Sequence, residues 1–353
     1  MRTVVLIAAI GVLACDESRV IPPGTMVNRD AGPSANADAG PGADAGPTSD
    51  GGAIVPAPEV DPRCVDGMYT ETLPDPNASI TTQIAGYTPA NVVPFIQSVL
   101  DARYPTGAYL VRGALMDVSR GNCAEIFLND RSNAGAVLRS LSTVVHECGH
   151  FFDLAMNGRY HVTAATQFTC TNGDTVARRG RTFARSLLNA DAYSARRPPC
   201  GMGGGRNCDS YADIYLDGDP DDAMFDSGDQ GFNSLLEETV QYVNSLATGY
   251  AYADQLGAGS SISERDGILT FLWYVGRYLR LARLEHPDAY TLLSTDRCWR
   301  DAILTTWGRA WLMLGATANA RNLGINDAAI IALVRDPEIL GEIQRLRVAA
   351  GCP

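Results

Sequence analysis

The sequence contains no lysine, so all 28 of its basic residues are arginine, and 40 acidic residues outnumber them. The formal net charge is −12, and so acidic a surface argues against nucleic acid as a partner. No apolar run reaches the ~18 residues that a membrane-spanning helix needs. Histidine is also scarce, with four residues in 353, which makes any regular spacing of histidines informative.

The first 63 residues differ in composition from the rest of the chain. Residues 1–15, MRTVVLIAAIGVLAC, combine one arginine, an apolar stretch and a final cysteine. They resemble a bacterial lipoprotein signal peptide, which implies an exported protein anchored to a membrane by lipid on Cys15. Residues 16–63 are rich in Ala, Gly, Pro, Asp and Ser and repeat DAGP at Asp30, Asp38 and Asp44. This composition predicts a disordered tether.

Residues 64–353 are long enough for one large folded domain. This part contains eight cysteines: Cys64, Cys123, Cys148, Cys170, Cys200, Cys208, Cys298 and Cys352. An even number of cysteines in an exported chain predicts a disulfide framework, whose pairing the sequence does not choose. Cys200 with Cys208 is the local expectation. Cys148 is expected to face the core as a thiol or as half of a disulfide.

The stretch VVHECGHFFD, residues 144–153, contains the pattern H-E-x-x-H. On a helix, His146 and His150 lie one turn apart on one face, where two imidazoles can bind the same metal ion. Chance produces this pattern about 0.002 times in a chain with so few histidines. Val144, Cys148 and Phe152 follow the spacing of a buried helix face on another side. The alternative is a pair of core histidines held by hydrogen bonds.

A catalytic zinc ion commonly has three protein ligands and one open position, so the motif needs a partner. In the metzincin arrangement the third histidine would stand at position 156, which is Met156, and a glycine would stand at Asp153, so that arrangement is excluded. Residues 234–250, SLLEETVQYVNSLATGY, carry the spacing L-x-E-x-x-x-x-Y. With H-E-x-G-H-x-x-D, the chain resembles a zincin metallopeptidase of the gluzincin type, and its motif helix is similar to the lethal-factor-like group.

The resemblance implies a set of residues around a zinc ion. Glu237 takes the place of the third ligand, with Glu238 as the alternative if the register differs by one residue. His161, which follows an Asn-Gly helix stop, is a further alternative. Gln241, one turn after Glu237, is expected to orient an imidazole, and Tyr242 takes the aromatic position of the pattern.

The resemblance also implies the chemistry. Glu147 would be the general base that takes a proton from the attacking water and passes it to the leaving amine. Stabilising the developing oxyanion requires a donor, for which Tyr250, Tyr252 and His161 are candidates that the sequence does not rank. Asp153 lies on the histidine face of the helix, where it either hydrogen-bonds around the site or is a simple surface residue.

Residues 209–232, DSYADIYLDGDPDDAMFDSGDQGF, contain eight aspartates. Oxygen ligands at this density suit Ca²⁺, but the spacing lacks the following glycine and the terminal glutamate of an EF-hand. The sequence leaves open a structural calcium site or a solvated acidic loop.

The predicted fold is α+β and mainly α, with a zincin-like arrangement. We expect a helix over residues 91–102, strands over 108–116 and 124–128, the motif helix, a strand near 160–169 and a helix over 175–188. Helices are then expected over 234–247, 264–284, 296–314, 327–334 and 337–349. Residues 64–232 would lay a small sheet over the motif helix, and residues 233–353 would form a helical lobe.

These features predict a lipid-anchored zinc peptidase that acts on a protein or peptide substrate. One alternative is a non-catalytic surface or adhesion lipoprotein with a zincin fold, against which the intact Glu147 argues. A second alternative is a zinc hydrolase of a non-peptide amide. No feature of the sequence separates the peptide from other amides, because specificity resides in the rim of the cleft.

Overall fold

The computed structural model describes residues 57–156, 158, 160–170, 180–194, 196, 211–216, 230–257 and 260–353. This part of the chain is mainly helical with one two-stranded sheet, in agreement with the predicted class. Its α-helices are α1 (Thr81–Ala85), α2 (Val92–Arg103), α3 (Pro105–Leu115), α4 (Cys123–Ile126), α5 (Ala134–Arg139), α6 (Leu141–Ala155), α7 (Ala212–Tyr215), α8 (Phe232–Ala251), α9 (Glu264–Glu285), α10 (Pro287–Thr295), α11 (Arg297–Ala316), α12 (Asp327–Val334) and α13 (Pro337–Ala349). The strands are β1 (Tyr160–His161) and β2 (Gln167–Phe168), which pair antiparallel.

The centre of the fold is the contact between α6, which carries the motif, and α8. Helix α6 also packs against α3, and α8 packs against α9 and α11. Val144, Val145 and Cys148 of α6 are fully buried. One hydrophobic core therefore contains residues from both predicted halves of the chain, and the motif lies where the two halves meet.

The strands predicted over residues 108–116 and 124–128 are wrong, because these residues lie mainly in helices α3 and α4. An apolar run such as AYLVRGALM fits a buried strand or a buried helix equally well by hydrophobicity alone. Pro105 occupies the first turn of α3, where its missing N–H costs nothing. The element that covers the motif helix on this side is therefore a helix.

The strand predicted near residues 160–169 is present as the short hairpin of β1 and β2, with Tyr160 opposite Phe168. Residues 171–179 of the helix predicted over 175–188 lie outside the described residues. Residues 180–184 are not helical, and Arg185–Ala190 forms a 3-10 helix instead. The sheet of this protein is thus smaller than the one predicted.

The helices predicted at residues 91–102, 234–247, 264–284, 296–314, 327–334 and 337–349 are confirmed as α2, α8, α9, α11, α12 and α13. Helix α10 has no counterpart among the predicted helices. Its Thr291, Ser294 and Thr295 hydroxyls donate to backbone carbonyls four residues earlier. Such residues are weak helix formers, so the sequence PDAYTLLST gives little helical signal.

Three disulfides confirm the predicted framework: Cys64–Cys352, Cys123–Cys148 and Cys170–Cys298. The second disulfide joins α4 to α6, so Cys148 faces the core as half of a disulfide. The expected pair Cys200–Cys208 lies outside the described residues, as does Cys15. Within the described part of the chain, no helix is long and apolar enough to span a membrane.

Candidate metal centre

The two motif histidines and a glutamate of α8 converge on one point. His146 and His150 stand one turn apart on α6, with ring centroids 4.8 Å apart. Oε2 of Glu238 lies 3.5 Å from Nε2 of each histidine. The three candidate ligand atoms lie within 4.8 Å of one another, so they could hold a single metal ion.

The other nitrogen of each imidazole contacts α8. His146 Nδ1 lies 2.9 Å from Ser245 Oγ, and His150 Nδ1 lies 2.7 Å from both carboxylate oxygens of Glu237. A histidine ligand of a metal commonly uses its second nitrogen in this way, because the hydrogen bond fixes the orientation of the ring. Both Nε2 atoms therefore remain directed towards Glu238.

In the structure, Glu238 rather than Glu237 is the glutamate grouped with the two Nε2 atoms. Consecutive residues on a helix point about 100° apart, and here one approaches the Nε2 side of His150 while the other approaches its Nδ1 side. The Glu237 side chain is 6% exposed and that of Glu238 is 16% exposed, so the more accessible carboxylate is the one in the ligand group. His161, the other alternative, contacts Asp153 and is not part of the group.

Charges within the site act strongly on one another. Burial disfavours the charged form of Glu238, but the neighbouring His150 and His146 hold the pKa of its carboxyl well below its ordinary value. Burial also disfavours the charged form of His150, but Glu237 and Glu238 raise the pKa of its imidazole well above the usual value. The two acidic residues of α8 thus create an electronegative position that attracts a cation.

Glu147, the second residue of the motif, lies beside the ligand group without being part of it. Its side chain is 4% exposed, and its Oε2 has no hydrogen-bond partner. Burial raises the pKa of this carboxyl, while His146 and His150 act in the opposite direction. A buried carboxylate with a free oxygen is suited to accept and release a proton.

Gln241 supports the site from behind. Its Nε2 donates to Asp153 Oδ2 at 2.9 Å and to Glu237 Oε1 at 3.2 Å. The sequence pattern predicts that Gln241 orients an imidazole. In the structure Gln241 acts on His150 through Glu237, which contacts His150 Nδ1. The motif residue Gly149 makes room for it, because a Cβ atom at this position would lie 1.8 Å from Gln241 Oε1.

Asp153 is buried, at 1% exposure, and hydrogen-bonds around the site rather than lying on the surface. Its Oδ1 contacts His161 Nδ1 and accepts from the His161 backbone N–H. Burial and the nearby Glu237 raise the pKa of Asp153 well above its ordinary value. His161 is stacked on Phe152, with ring centroids 4.3 Å apart, and completes this buried group.

A cavity of about 80 Å³ opens beside His146 and Glu147. Its wall includes Tyr215, Tyr242 and Glu264. The Tyr215 and Tyr242 hydroxyls lie 3.0 Å apart, and the Tyr242 ring meets the His146 ring edge to face at a centroid distance of 4.9 Å. The cavity thus combines phenol hydroxyls, carboxylates and aromatic surface next to the candidate metal position.

None of the three residues expected to stabilise an oxyanion lies among the described residues that line this cavity. Tyr252 packs under the guanidinium of Arg103, and Tyr250 is half-buried at the end of α8. His161 lies behind the site with Asp153. The tyrosines among the described residues that line the cavity are Tyr242, which the gluzincin pattern includes, and Tyr215.

The sequence contains no spacing signal that could have identified Tyr215. This residue lies on the short helix α7, within the aspartate-rich stretch, and reaches the site only through the tertiary fold. Residues 217–229, which contain most of the aspartates considered for calcium, lie outside the described residues. The calcium prediction therefore stays a prediction.

The donor set fits a zinc ion. Two imidazole nitrogens and one carboxylate oxygen are the ligands that catalytic zinc sites use, with a fourth position left for water or substrate. Glu238 Oε2 is buried 3.5 Å from both Nε2 atoms, and a buried carboxylate is costly unless positive charge compensates for it. No protein-family model matches this chain, and no match was found among curated proteins or solved structures.

Proposed function

We propose that the protein is a zinc-dependent peptidase. The observation that carries the proposal is the convergence of His146 Nε2, His150 Nε2 and Glu238 Oε2, with Glu147 beside them and a cavity in front. The three ligand residues would hold the zinc ion. When bound, zinc supplies a Lewis acid that polarises a carbonyl and makes water more acidic.

The remaining chemistry belongs to residues of the chain. Glu147 accepts the proton of the attacking water on its carboxylate and transfers it to the leaving nitrogen. Burial favours this role, because it raises the affinity of the carboxylate for the proton. As negative charge develops on the substrate carbonyl oxygen, the hydroxyl of Tyr215 or Tyr242 donates a hydrogen bond to it.

Two alternatives remain as outcomes of the same experiments. A non-catalytic surface or adhesion protein would not need Glu147, whose buried and unpaired oxygen is costly to maintain without a catalytic role. A hydrolase of a non-peptide amide would use the same residues, and a panel of substrates separates it from a peptidase. The intact Glu147 beside an open cavity favours an enzyme over a binding protein.

We further propose that the protein acts outside the cytoplasm. Three disulfides support this location, because disulfides persist in oxidising compartments. The signal-like residues 1–15 support a lipid anchor at Cys15.

The deciding experiment measures zinc content and peptide cleavage for the wild-type protein and for Glu147→Gln. We expect about one zinc ion per chain in both, and a loss of cleavage by on the order of 10² or more in the variant. Glu285→Gln, a change of the same kind at an exposed residue of α9, serves as the control and should cleave at the wild-type rate. Cleavage that survives Glu147→Gln contradicts the proposed mechanism, and a wild type without zinc contradicts the proposed metal.

A further inference from the structure

A line of buried polar side chains runs along α8 away from the metal centre. Glu237, Gln241 and Asn244 follow one another at helical spacing and are 5%, 0% and 0% exposed. A core-facing stripe of a helix is normally apolar, since a buried polar group costs free energy unless it is hydrogen-bonded. Three consecutive polar positions on this stripe therefore require partners.

The partners form a continuous chain of hydrogen bonds. Glu237 contacts His150 Nδ1 at 2.7 Å and accepts from Gln241 Nε2 at 3.2 Å. Asn244 Nδ2 donates to Gln241 Oε1 at 2.9 Å. The chain ends at Arg309 of α11, whose Nη1 donates to Asn244 Oδ1 at 2.8 Å.

Arg309 is itself buried and held from three directions. It is 1% exposed, and its Nε donates to Glu71 Oε2 at 2.9 Å. Its Nη2 donates to the Tyr104 hydroxyl at 2.9 Å, and that hydroxyl donates to Asn244 Oδ1 at 3.2 Å. The guanidinium therefore occupies a fixed position at the far end of the chain.

An arginine fixes the direction of such a chain because a guanidinium can only donate hydrogen bonds. Asn244 must present its oxygen to Arg309, so its amide nitrogen faces Gln241. Gln241 must then present its oxygen to Asn244, so its amide nitrogen faces the carboxylates of Glu237 and Asp153. The reverse orientation of Gln241 would place its oxygen against a carboxylate oxygen of Glu237.

We propose that Arg309 is a positioning residue of the metal centre. By fixing the direction of the chain, it holds Glu237 against Nδ1 of His150 and so directs Nε2 of His150 into the ligand group. This inference rests on the proposed metal-binding function. Arg309 acts through Asn244, Gln241 and Glu237, and it does not touch a ligand atom.

Two pairs of variants separate direction from packing. Arg309→Met removes the donor, and Arg347→Met is its control. Arg347 is also fully buried in an ion pair, 2.7 Å from Asp66, but among the described residues it is not bonded to α8. Asn244→Asp keeps the side-chain volume and the contact with Arg309 but presents an oxygen to Gln241, which reverses the chain. Asn322→Asp is its control, because it makes the same change at a half-buried asparagine that donates to the Ala253 carbonyl and not to Gln241.

Two measurements report on the outcome. The first is zinc affinity by competition with a chelator, where we expect Arg309→Met and Asn244→Asp to bind zinc about 10- to 100-fold more weakly than wild type. The controls should keep wild-type affinity. The second is the NMR signal of the His150 Nδ1 proton in ¹⁵N-histidine-labelled, zinc-free protein, which should shift or disappear in the two test variants and stay in the two controls.

The results decide the inference in each case. If Arg309→Met does not fold, Asn244→Asp gives the same answer without a change in volume. The inference is overturned if Asn244→Asp retains both the zinc affinity and the His150 signal, or if Arg347→Met weakens zinc as much as Arg309→Met. If the wild type binds no zinc, the proposed function fails. The His150 signal then still decides whether Arg309 fixes the direction of the hydrogen-bond chain.

Discussion

Gly149→Ala adds a single methyl group where α6 faces the Gln241 side chain of α8. The new Cβ atom would lie 1.8 Å from Oε1 and 2.6 Å from Cδ of Gln241, so the amide must move. Gln241 has no exposed surface, and it would lose its hydrogen bonds with Asp153, Glu237 and Asn244.

The magnitude follows from these contacts. Three buried hydrogen bonds contribute about 1 kcal/mol each to the free energy of unfolding. The core must also shift to make room for the added methyl group, which costs about 1 to 3 kcal/mol. The higher helix propensity of alanine returns at most about 1 kcal/mol. We therefore expect Gly149→Ala to lower the free energy of unfolding by about 3 to 5 kcal/mol and to weaken zinc binding.

Denaturant unfolding of the zinc-free protein measures this effect. Gly341→Ala in α13 is the matched control, because a Cβ atom there meets nothing within 4 Å, and it should stabilise the protein slightly. The double variant Gly149→Ala with Gln241→Ala should lose less stability than the sum of the single changes, since the second change removes the clashing amide. The reasoning is refuted if Gly149→Ala unfolds at the same denaturant concentration as Gly341→Ala.

Three other outcomes are expected. Glu238→Ala should abolish zinc binding measured by metal content, because it removes a ligand, whereas Glu237→Ala should weaken zinc binding without abolishing it; the reverse order would restore Glu237 as the ligand. Asp254→Asn should lower the free energy of unfolding by about 1 kcal/mol near pH 7, because the Arg103 guanidinium, against the effect of burial, lowers the pKa of Asp254. Because the pKa of Asp254 is lowered on folding, its contribution to stability is complete above the ordinary pKa of 3.8 and is lost as the pH falls through the lower folded-state pKa. In unfolding measurements over a range of pH, the difference in stability between wild type and variant should therefore shrink at acid pH. Cys15→Ser should release the protein from the membrane fraction, and a variant that stays fully membrane-bound contradicts the lipid anchor.

The motif helix could be predicted from the sequence because its information is local. The spacing of His146 and His150 fixes their common face on any helix, and the buried positions of α6 follow the same period. The long helices of the C-terminal half were equally clear, since each has a sustained apolar stripe. The apolar run over residues 108–116 was predicted as a strand because hydrophobicity alone does not separate a buried strand from a buried helix.

The third position of the metal centre could not be decided in this way. Glu237 and Glu238 are adjacent on α8, and both lie near His150. Which carboxylate meets Nε2 and which meets Nδ1 depends on the rotation of α8 about its axis. That rotation is set by packing against α6, α9 and α11, so it depends on helices other than α8 itself.

The sequence by itself therefore determined the two histidines, the neighbouring Glu147 and the helix that carries them, because residues four apart on a helix meet whatever surrounds them. The tertiary structure alone decided that Glu238 joins them, that Tyr215 reaches the cavity, and that Arg309 connects to His150. Asn244 and Arg309 are 65 positions apart in the sequence, and His146 and its partner Ser245 are 99 apart. Only the packing of whole helices around one core brings such residues together.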